Sequence, residues 1–475
     1  MSRFKFTILG AVAATLSGAA LADKPNILYI NADDFGVMDT GFNNPIYNTP
    51  NIDRLRAEGM LFTDAYAPAA NCAPSRACVM SGQYSPRHGV YTVANSDRGK
   101  TQQRKIIPIK NTRHLTPDNL TLAGALQAGG YKTIHLGKWH VTKDPLQSGF
   151  DINIGGDETG GPAGGYFAPF KKGSMMKYDS QYPAGTHRSK IFADEAITFL
   201  KAHGQEPFFV HMAYYLIHTP MQKVPEFFDK YKNKPGVHAI YATMVEKMDQ
   251  SIGRILAELE ALDLTENTLV VFCSDNGAMC DMSSQKPFRS GKGSYFEGGI
   301  REPLVVRWPG KIAANSTCEV PVIATDFYPT FLEAADLPVP ADKVLDGVSL
   351  MPLLTQSGSI PERALFWHFP VYLQAYKGAA DDSHDAAFRT RPGSALRQGK
   401  WKLHEYFEDG RLELYDLESD TGERTNVAAQ FPEKAVALHL KLKEWRAEMN
   451  APVPMLQNPQ YNPNFKVGEK RRRIK

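Results

Sequence analysis

The residues able to do chemistry in this chain gather where apolar runs stop. Asp33 and Asp34 follow "NILYINA", and Asp275 and Asn276 follow "TLVVFCS". Three carboxylates and an amide oxygen make a hard donor set, suited to Ca²⁺, less so to Mg²⁺, which keeps its waters, and poorly to zinc. For either pair alone, an N-cap or an Asx-turn is the stronger reading. Two such pairs, both at the ends of apolar runs, tilt the reading toward a metal. Lys138 and His140 in "LGKWH", His218 in "LIHTP" and Lys292 in "RSGKGSYFEGG" occupy comparable positions. A lone loop histidine is most often structural or solvated. An acid set accompanied by two lysines and two histidines instead suits an anionic ester substrate, and that chemistry needs a nucleophile. Cys72 in "NCAPSRACVMSG" is a thiol in the right company. At this point it reads equally as a structural thiol, half of a disulfide, a metal ligand, or the precursor of something else.

The elements that must position these residues alternate along the chain. The run Ile27 to Ile30 predicts a buried strand ending in a polar loop. "NLTLAGALQAGGYKTIHLGKWH" predicts a helix, a Gly-Gly stop and a strand from Tyr131 to Leu136. "PFFVHMAYYLIHTP" predicts a strand, "HAIYATMVEKMDQSIGRILAELEALD" a long helix, and "NTLVVFCSDNG" another strand. Such alternation predicts an α/β domain, with a large, mostly parallel sheet flanked by helices and ligands beyond the carboxyl ends of its strands. From about Ser357 the texture changes. Antiparallel strands joined at Gln398-Gly399 and Asp409-Gly410 are expected, then a helix burying Ala435, Leu438, Leu442, Trp445 and Met449. The predicted organisation is a catalytic domain over residues 23–356 and a smaller α+β domain over 357–475, ending in the basic run "KVGEKRRRIK". Residues 153–186 are Gly-rich with interleaved aromatics. They predict a long loop, whose "GGDETGGPAGGYFAPF" reads equally as a sugar-stacking surface or a solvated loop.

Residues 1–22 carry Arg3 and Lys5, an apolar stretch and Ala20-Leu21-Ala22, the pattern of a cleaved signal peptide. A periplasmic or secreted protein with no stable membrane anchor is therefore expected. Five cysteines in an exported chain allow at most two disulfides and leave one thiol over. Cys72 is the candidate for that thiol, and Cys273 and Cys280 are close enough in sequence to pair. The net charge of +3 is too small to argue for or against nucleic acid, and no nucleic-acid partner is expected.

Cys72-Ala73-Pro74-Ser75-Arg76 resembles the maturation signature of the type I sulfatases, in which a cysteine followed by x-Pro-x-Arg is oxidised to formylglycine (3-oxoalanine). "NILYINADDFG", "TPNIDRLRAEG", "LGKWH", "CSDNG", "GKGSYFEGGIREP" and "WHFP" are also similar to that family, in its order, strongly over residues 24–310 and more weakly near the C-terminus. The departure is "ACVMSG", where relatives more often have an apolar pair before Thr-Gly. Cys78, Val79, Met80 and Ser81 still fit a helix.

The resemblance implies an alkaline-phosphatase-like fold, with the smaller C-terminal domain carrying an antiparallel sheet, and a sulfuric ester hydrolase. It implies that hydrated formylglycine at position 72 is the nucleophile, in contact with one Ca²⁺ held by Asp33, Asp34, Asp275 and Asn276. Lys138 and Lys292 are implied to bind the sulfate, and Arg76 to anchor the hydrate. His218 is implied to protonate the departing alcohol or to sit on its oxygen, a task Lys292 is able to share. His140 is implied to deprotonate the second hydroxyl, so that the hemiacetal collapses and expels sulfate. The implied partners are a maturation enzyme and a sulfated carbohydrate, with Arg289 and His368 as further substrate contacts; His368 reads equally as a packed interdomain residue. Two other readings stay in play: a phosphomonoester or phosphonate hydrolase of the same superfamily, and a non-catalytic binder of sulfated glycans that keeps Cys72 as a thiol.

Overall fold

The computed structural model describes residues 24–376, 382 and 385–465. The expected signal peptide and the basic run from Lys466 onward lie outside the described residues. The first ten strands are β1 (Asn26–Ala32), β2 (Met60–Phe62), β3 (Ala65–Tyr66), β4 (Lys132–Gly137), β5 (Ile152–Ile154), β6 (Phe208–Ala213), β7 (Thr268–Ser274), β8 (Leu304–Arg307), β9 (Ser316–Cys318) and β10 (Val322–Ile323). Eight of them form one sheet in the order β5-β4-β6-β1-β7-β8-β2-β9, and β3 and β10 pair separately. Only β8 runs antiparallel to its neighbours, so the sheet is mixed but mostly parallel, as the alternating pattern predicts.

Both faces of this sheet are covered, which is why its strands read as continuous apolar runs rather than alternating ones. Leu28 and Ile30 of β1 enter a core shared with the helices Arg188–His203 and Ala239–Ala261. Ile27 and Tyr29 enter the opposite core, with the helices Cys72–Ser81, Leu122–Ala128 and Phe327–Ala334. His238 caps the long helix through its side chain, which accepts from the Tyr241 N–H. Among the described residues no helix is long and apolar enough to cross a membrane.

Six further strands follow: β11 (Leu365–Phe369), β12 (Leu373–Gln374), β13 (Phe388–Thr390), β14 (Gly393–Gln398), β15 (Trp401–Tyr406) and β16 (Leu412–Asp416). β11-β14-β15-β16 make an antiparallel sheet, with hairpin turns at the two expected glycines, and β12 pairs with β13. The helix Pro432–Glu448 packs on that sheet, and all five apolar positions expected from its periodicity are buried. Trp445 stacks on Phe366 of β11 at 4.7 Å. The same core takes in Tyr66, Tyr84, Tyr295 and Ile300, so the second sheet is seated on the first body of the molecule.

Two sequence expectations are corrected. Cys273 is not bridged to Cys280; it is buried in β7, with its Sγ 3.5 Å from the Tyr29 hydroxyl. The aromatics of the Gly-rich segment do not form an open stacking surface. Tyr166 and Phe170 are buried, and the Tyr166 hydroxyl donates to the carbonyls of Tyr215 and His218.

Candidate active site

β4, β6, β1 and β7 are parallel neighbours, so their carboxyl ends open side by side. Ala32 pairs with Ser274, which brings Asp33 and Asp34 level with Asp275 and Asn276. Lys138 and His140 follow β4, and His218 lies just beyond β6. Asp34 (φ +60°) and His140 (φ +59°) hold left-handed backbone conformations just past strand ends. Non-glycine residues adopt these at a cost of about 1–2 kcal/mol, and such strain collects at functional sites. Cys72 opens the buried helix Cys72–Ser81, whose first turn points free N–H groups toward any anion placed there.

Each carboxylate meets one cation. Lys138 Nζ donates to Asp33 Oδ2 at 2.6 Å, Lys292 Nζ to Asp34 Oδ2 at 2.7 Å, and Arg76 Nε to Asp275 Oδ2 at 2.7 Å. Arg76 Nη1 also donates to the Lys138 carbonyl at 2.8 Å, which ties the Cys72 helix to the end of β4. Asn276 Nδ2 donates to Asp34 Oδ1 at 2.9 Å, which turns its own Oδ1 away from that contact. Two buried oxygens are left without a partner, Asp33 Oδ1 and Asn276 Oδ1. Ligand atoms of Asp33, Asp275 and Cys72 lie within 4.8 Å of one another. A fully buried carboxylate oxygen without a donor is costly, and a hard cation resolves that cost. The donor set therefore fits the divalent ion that the sequence called for.

Burial raises Asp33, with Lys138 opposing the rise and the neighbouring carboxylates reinforcing it. At Asp34, burial is outweighed by Lys292, His218 and Lys138, and the carboxyl is held below its ordinary range. Lys138 and Lys292 resist burial because Asp33 and Asp34 face them, and both ammonium groups sit above the usual lysine value. Burial, then Lys138 and Arg76, keeps His140 neutral. Burial, then Lys292 and Lys138, lowers His218 to about 3. His218 Nδ1 faces the Thr219 carbonyl at 2.8 Å, and a carbonyl only accepts, so the ring proton sits on Nδ1 and Nε2 carries a lone pair. In this state His218 Nε2 carries no proton, whereas Lys292 Nζ does.

Of the two other expected substrate contacts, His368 is not at the site. It is buried in β11, with Nδ1 on Ser394 Oγ at 2.8 Å and Nε2 on the Pro452 carbonyl at 3.1 Å, the packed position that the sequence left open. Arg289 is also buried. It donates to the carbonyls of Asp382 and Glu423 and lies 3.8 Å over Phe296, on the wall of a 570 Å³ cavity that Ser294, two residues after Lys292, also lines.

Sequence reasoning missed four contributors. Gly160 lies flat against the His140 ring, so the Gly-rich segment walls the site with backbone rather than with aromatic faces. The Tyr376 hydroxyl donates to the Lys292 carbonyl at 3.4 Å, Arg389 lies 4.2 Å over the Tyr376 ring, and Arg98 is close enough to feel Arg389 and Cys72. They come from loops and a short strand with no motif of their own, and no local signal marks them.

The sulfatase family model matches residues 25–337, and a second, described as N-sulphoglucosamine sulphohydrolase, C-terminal, matches residues 291–449. A sulfatase of Formosa agariphila is 31% identical, covering 90% of each chain. Human N-acetylgalactosamine-6-sulfatase is 32% identical over 81% of this chain and 76% of its own. The crystal structure of Ps i-CgsB in complex with k-i-k-neocarrahexaose superposes with a TM-score of 0.72 at 27% identity, over 89% of this chain and 92% of that one. The acid cluster, the cysteine at the head of its helix and these likenesses agree: the chain belongs to the sulfatase family and is a sulfuric ester hydrolase.

Proposed function

We propose that this enzyme removes sulfate from a sulfated carbohydrate outside the cytoplasm, with Cys72 oxidised to formylglycine by a maturation enzyme and one Ca²⁺ held by Asp33, Asp34, residue 72, Asp275 and Asn276. The observation that carries this reading is the pair of buried oxygens without partners, Asp33 Oδ1 and Asn276 Oδ1, beside Cys72 in a cluster otherwise neutralised one to one. The amino sugar in the human relative's name and the oligosaccharide bound to Ps i-CgsB support a carbohydrate ester. A single cluster able to hold a metal among the described residues favours sulfate over phosphate chemistry built on two metals. The division into a catalytic domain over 23–356 and a C-terminal domain over 357–475 belongs to the same proposal.

A bound divalent cation supplies charge that offsets the anionic ester and acidifies a hydroxyl beside it. Formylglycine supplies, through its hydrate, one hydroxyl to attack sulfur and a second that lets the enzyme shed the sulfate. Arg76, fixed by Asp275 and by the Lys138 carbonyl, orients residue 72. Lys138 and Lys292 counter the charge on the sulfate oxygens. Lys292, protonated beside Asp34, gives its Nζ proton to the leaving oxygen, while neutral His218 accepts a hydrogen bond at Nε2. His140 Nδ1, buried and without a partner, takes the proton released when sulfate departs.

The test is sulfate release from a panel of sulfated oligosaccharides by matured protein, with Cys72→Ala as the blank and the aldehyde confirmed by peptide mass. Release abolished in the variant is expected. Silence across the panel with the aldehyde present would overturn the carbohydrate reading and bring phosphate or phosphonate esters forward.

A further inference from the structure

We infer that Arg98 and Arg389 form a second anion subsite beside the sulfate position, selecting a saccharide that carries another sulfate, or a carboxylate, near the ester being cleaved. This rests on the sulfatase reading above and narrows its substrate class.

Arg389 is fixed by contacts that converge on the loop carrying Lys292. Its guanidinium lies 4.2 Å over the Tyr376 ring, and the Tyr376 hydroxyl donates to the Lys292 carbonyl at 3.4 Å. The next residue, Thr390, donates through Oγ1 to the carbonyl of Gly293. Gly293 has φ +83°, and a Cβ there would come within 2.4 Å of Arg389 Nε, so a glycine lets the arginine lie against the backbone next to Lys292. Arg98 comes from a distant loop whose next residue, Gly99 (φ +81°), packs against Phe388, the residue before Arg389; a Cβ on Gly99 would fall 2.6 Å from Phe388 Cε1. Arg98 is half-buried, and burial and then Arg389 hold its pKa down, while Cys72 and Tyr376 are near enough to act in the opposite direction.

Among the described residues neither guanidinium makes an ion pair or a side-chain hydrogen bond, and Arg389 Nε is buried without an acceptor. Other arginines of this region are answered: Arg391 by Asp385 and Glu408, and Arg397 by Asp64. Two cations brought together without an acid repel each other, and a bridging anion removes that cost. Planar guanidinium groups take sulfate or carboxylate through paired N–H bonds. Arg389 also lines the 570 Å³ cavity, which gives the rest of a saccharide somewhere to lie.

The test uses N-acetylgalactosamine 6-sulfate, a counterpart with a second sulfate, and a disaccharide in which the same sugar is joined to glucuronate. Calorimetric affinities for the unmatured Cys72→Ala protein read the preference without turnover; kcat/KM of the matured enzyme reads it with turnover. At least a tenfold preference for a doubly anionic probe is expected, with the two arms telling sulfate from carboxylate. Arg389→Gln and Arg98→Gln should each reduce it to threefold or less, mainly through KM, and Arg389→Lys should restore only part. Equal affinities for singly and doubly anionic probes, or a preference that survives both substitutions, would overturn the subsite. A binding preference without sulfate release by matured protein would instead count against the sulfatase reading.

Discussion

Two buried ionic clusters in this molecule have the same formal make-up and different bookkeeping. At the catalytic end, Asp33, Asp34 and Asp275 face Lys138, Lys292 and Arg76. Where the second sheet meets the first body, Asp64, Glu297 and Glu423 face Arg301, Arg397 and Lys402. In the second cluster every carboxylate oxygen is answered. Glu297 takes Lys402 on one oxygen and Arg301 and Tyr66 on the other. Glu423 takes Lys402 and His404 on one, and the Glu297 N–H on the other. Asp64 takes Arg301 and Arg397 on one, and Thr63 on the other. The catalytic cluster leaves Asp33 Oδ1 and Asn276 Oδ1 unanswered and sits beside two strained backbones. A closed network fastens two parts of a fold; an open one of equal charge is shaped for something that arrives later.

The sharpest way to break this comparison is to substitute one residue in each cluster. Asp33→Asn in the open cluster should lower kcat/KM by about 1,000-fold. Ca²⁺, binding only to the folded state, should raise the melting temperature of the wild type, and this variant should abolish that rise. Lys402→Met in the closed cluster strips the shared partner from two buried carboxylates and should cost about 3–5 kcal/mol of stability. The Ca²⁺-dependent rise and the turnover of the molecules that remain folded should stay. Chemical melts with and without Ca²⁺ separate the two, and a Lys402→Met protein that loses its Ca²⁺ response would show that the clusters are not independent.

The open cluster was legible in the sequence because a parallel sheet gathers its chemistry at strand ends. Once β1 and β7 are neighbours in register, "ADD" and "SDN" must meet. The closed cluster was not legible, because Asp64, Glu297, Lys402 and Glu423 lie in four segments brought together only by how one sheet seats on another. His368 was ambiguous for a related reason: a histidine inside an aromatic strand looks the same whether it faces substrate or Ser394. The Gly-rich segment was left open between a stacking surface and a solvated loop because aromatic content does not say which way a loop folds, and Tyr166 turns inward to the carbonyls of Tyr215 and His218. Lys292 was named from its motif, but its ion pair with Asp34, which keeps it protonated inside the site, needed coordinates.

Acid should act on Asp34 and on His368 in different windows. Asp34 has a depressed pKa, so the stability it contributes is present above the ordinary carboxylate value and lost only as pH falls below that value. His368 is lowered from 6.5 to about 3, by burial first. The unfolded chain then takes up a proton that the native state refuses. Nothing is lost above pH 6.5, and each unit below it costs up to about 1.4 kcal/mol until the folded value is reached. Protonation at His368 should therefore cost stability at a higher pH than protonation of Asp34 does. Urea melts from pH 7 to pH 4 should show a shallower loss for His368→Asn, by up to about 1.4 kcal/mol per unit. Parallel slopes would sink the assignment.

The smallest change tests whether the glycine wall belongs to the open cluster at all. A Cβ on Gly160 would fall 2.5 Å from Cε1 and 3.0 Å from Nδ1 of His140, while among its nearest neighbours no backbone atom stands in the way. The cost of Gly160→Ala therefore falls on the orientation of one imidazole, and melting temperature should move little. A ring displaced by a fraction of an ångström carries its Nδ1 away from the proton it must take, and misplacement on that scale costs roughly tenfold in rate. On the proposed mechanism, in which His140 acts on residue 72 after the alcohol has left, the loss should appear in kcat, and KM should hardly change. A variant that raised KM and left kcat alone would instead make the wall a substrate surface, returning the Gly-rich segment to the saccharide-binding role in a form its buried aromatics do not provide.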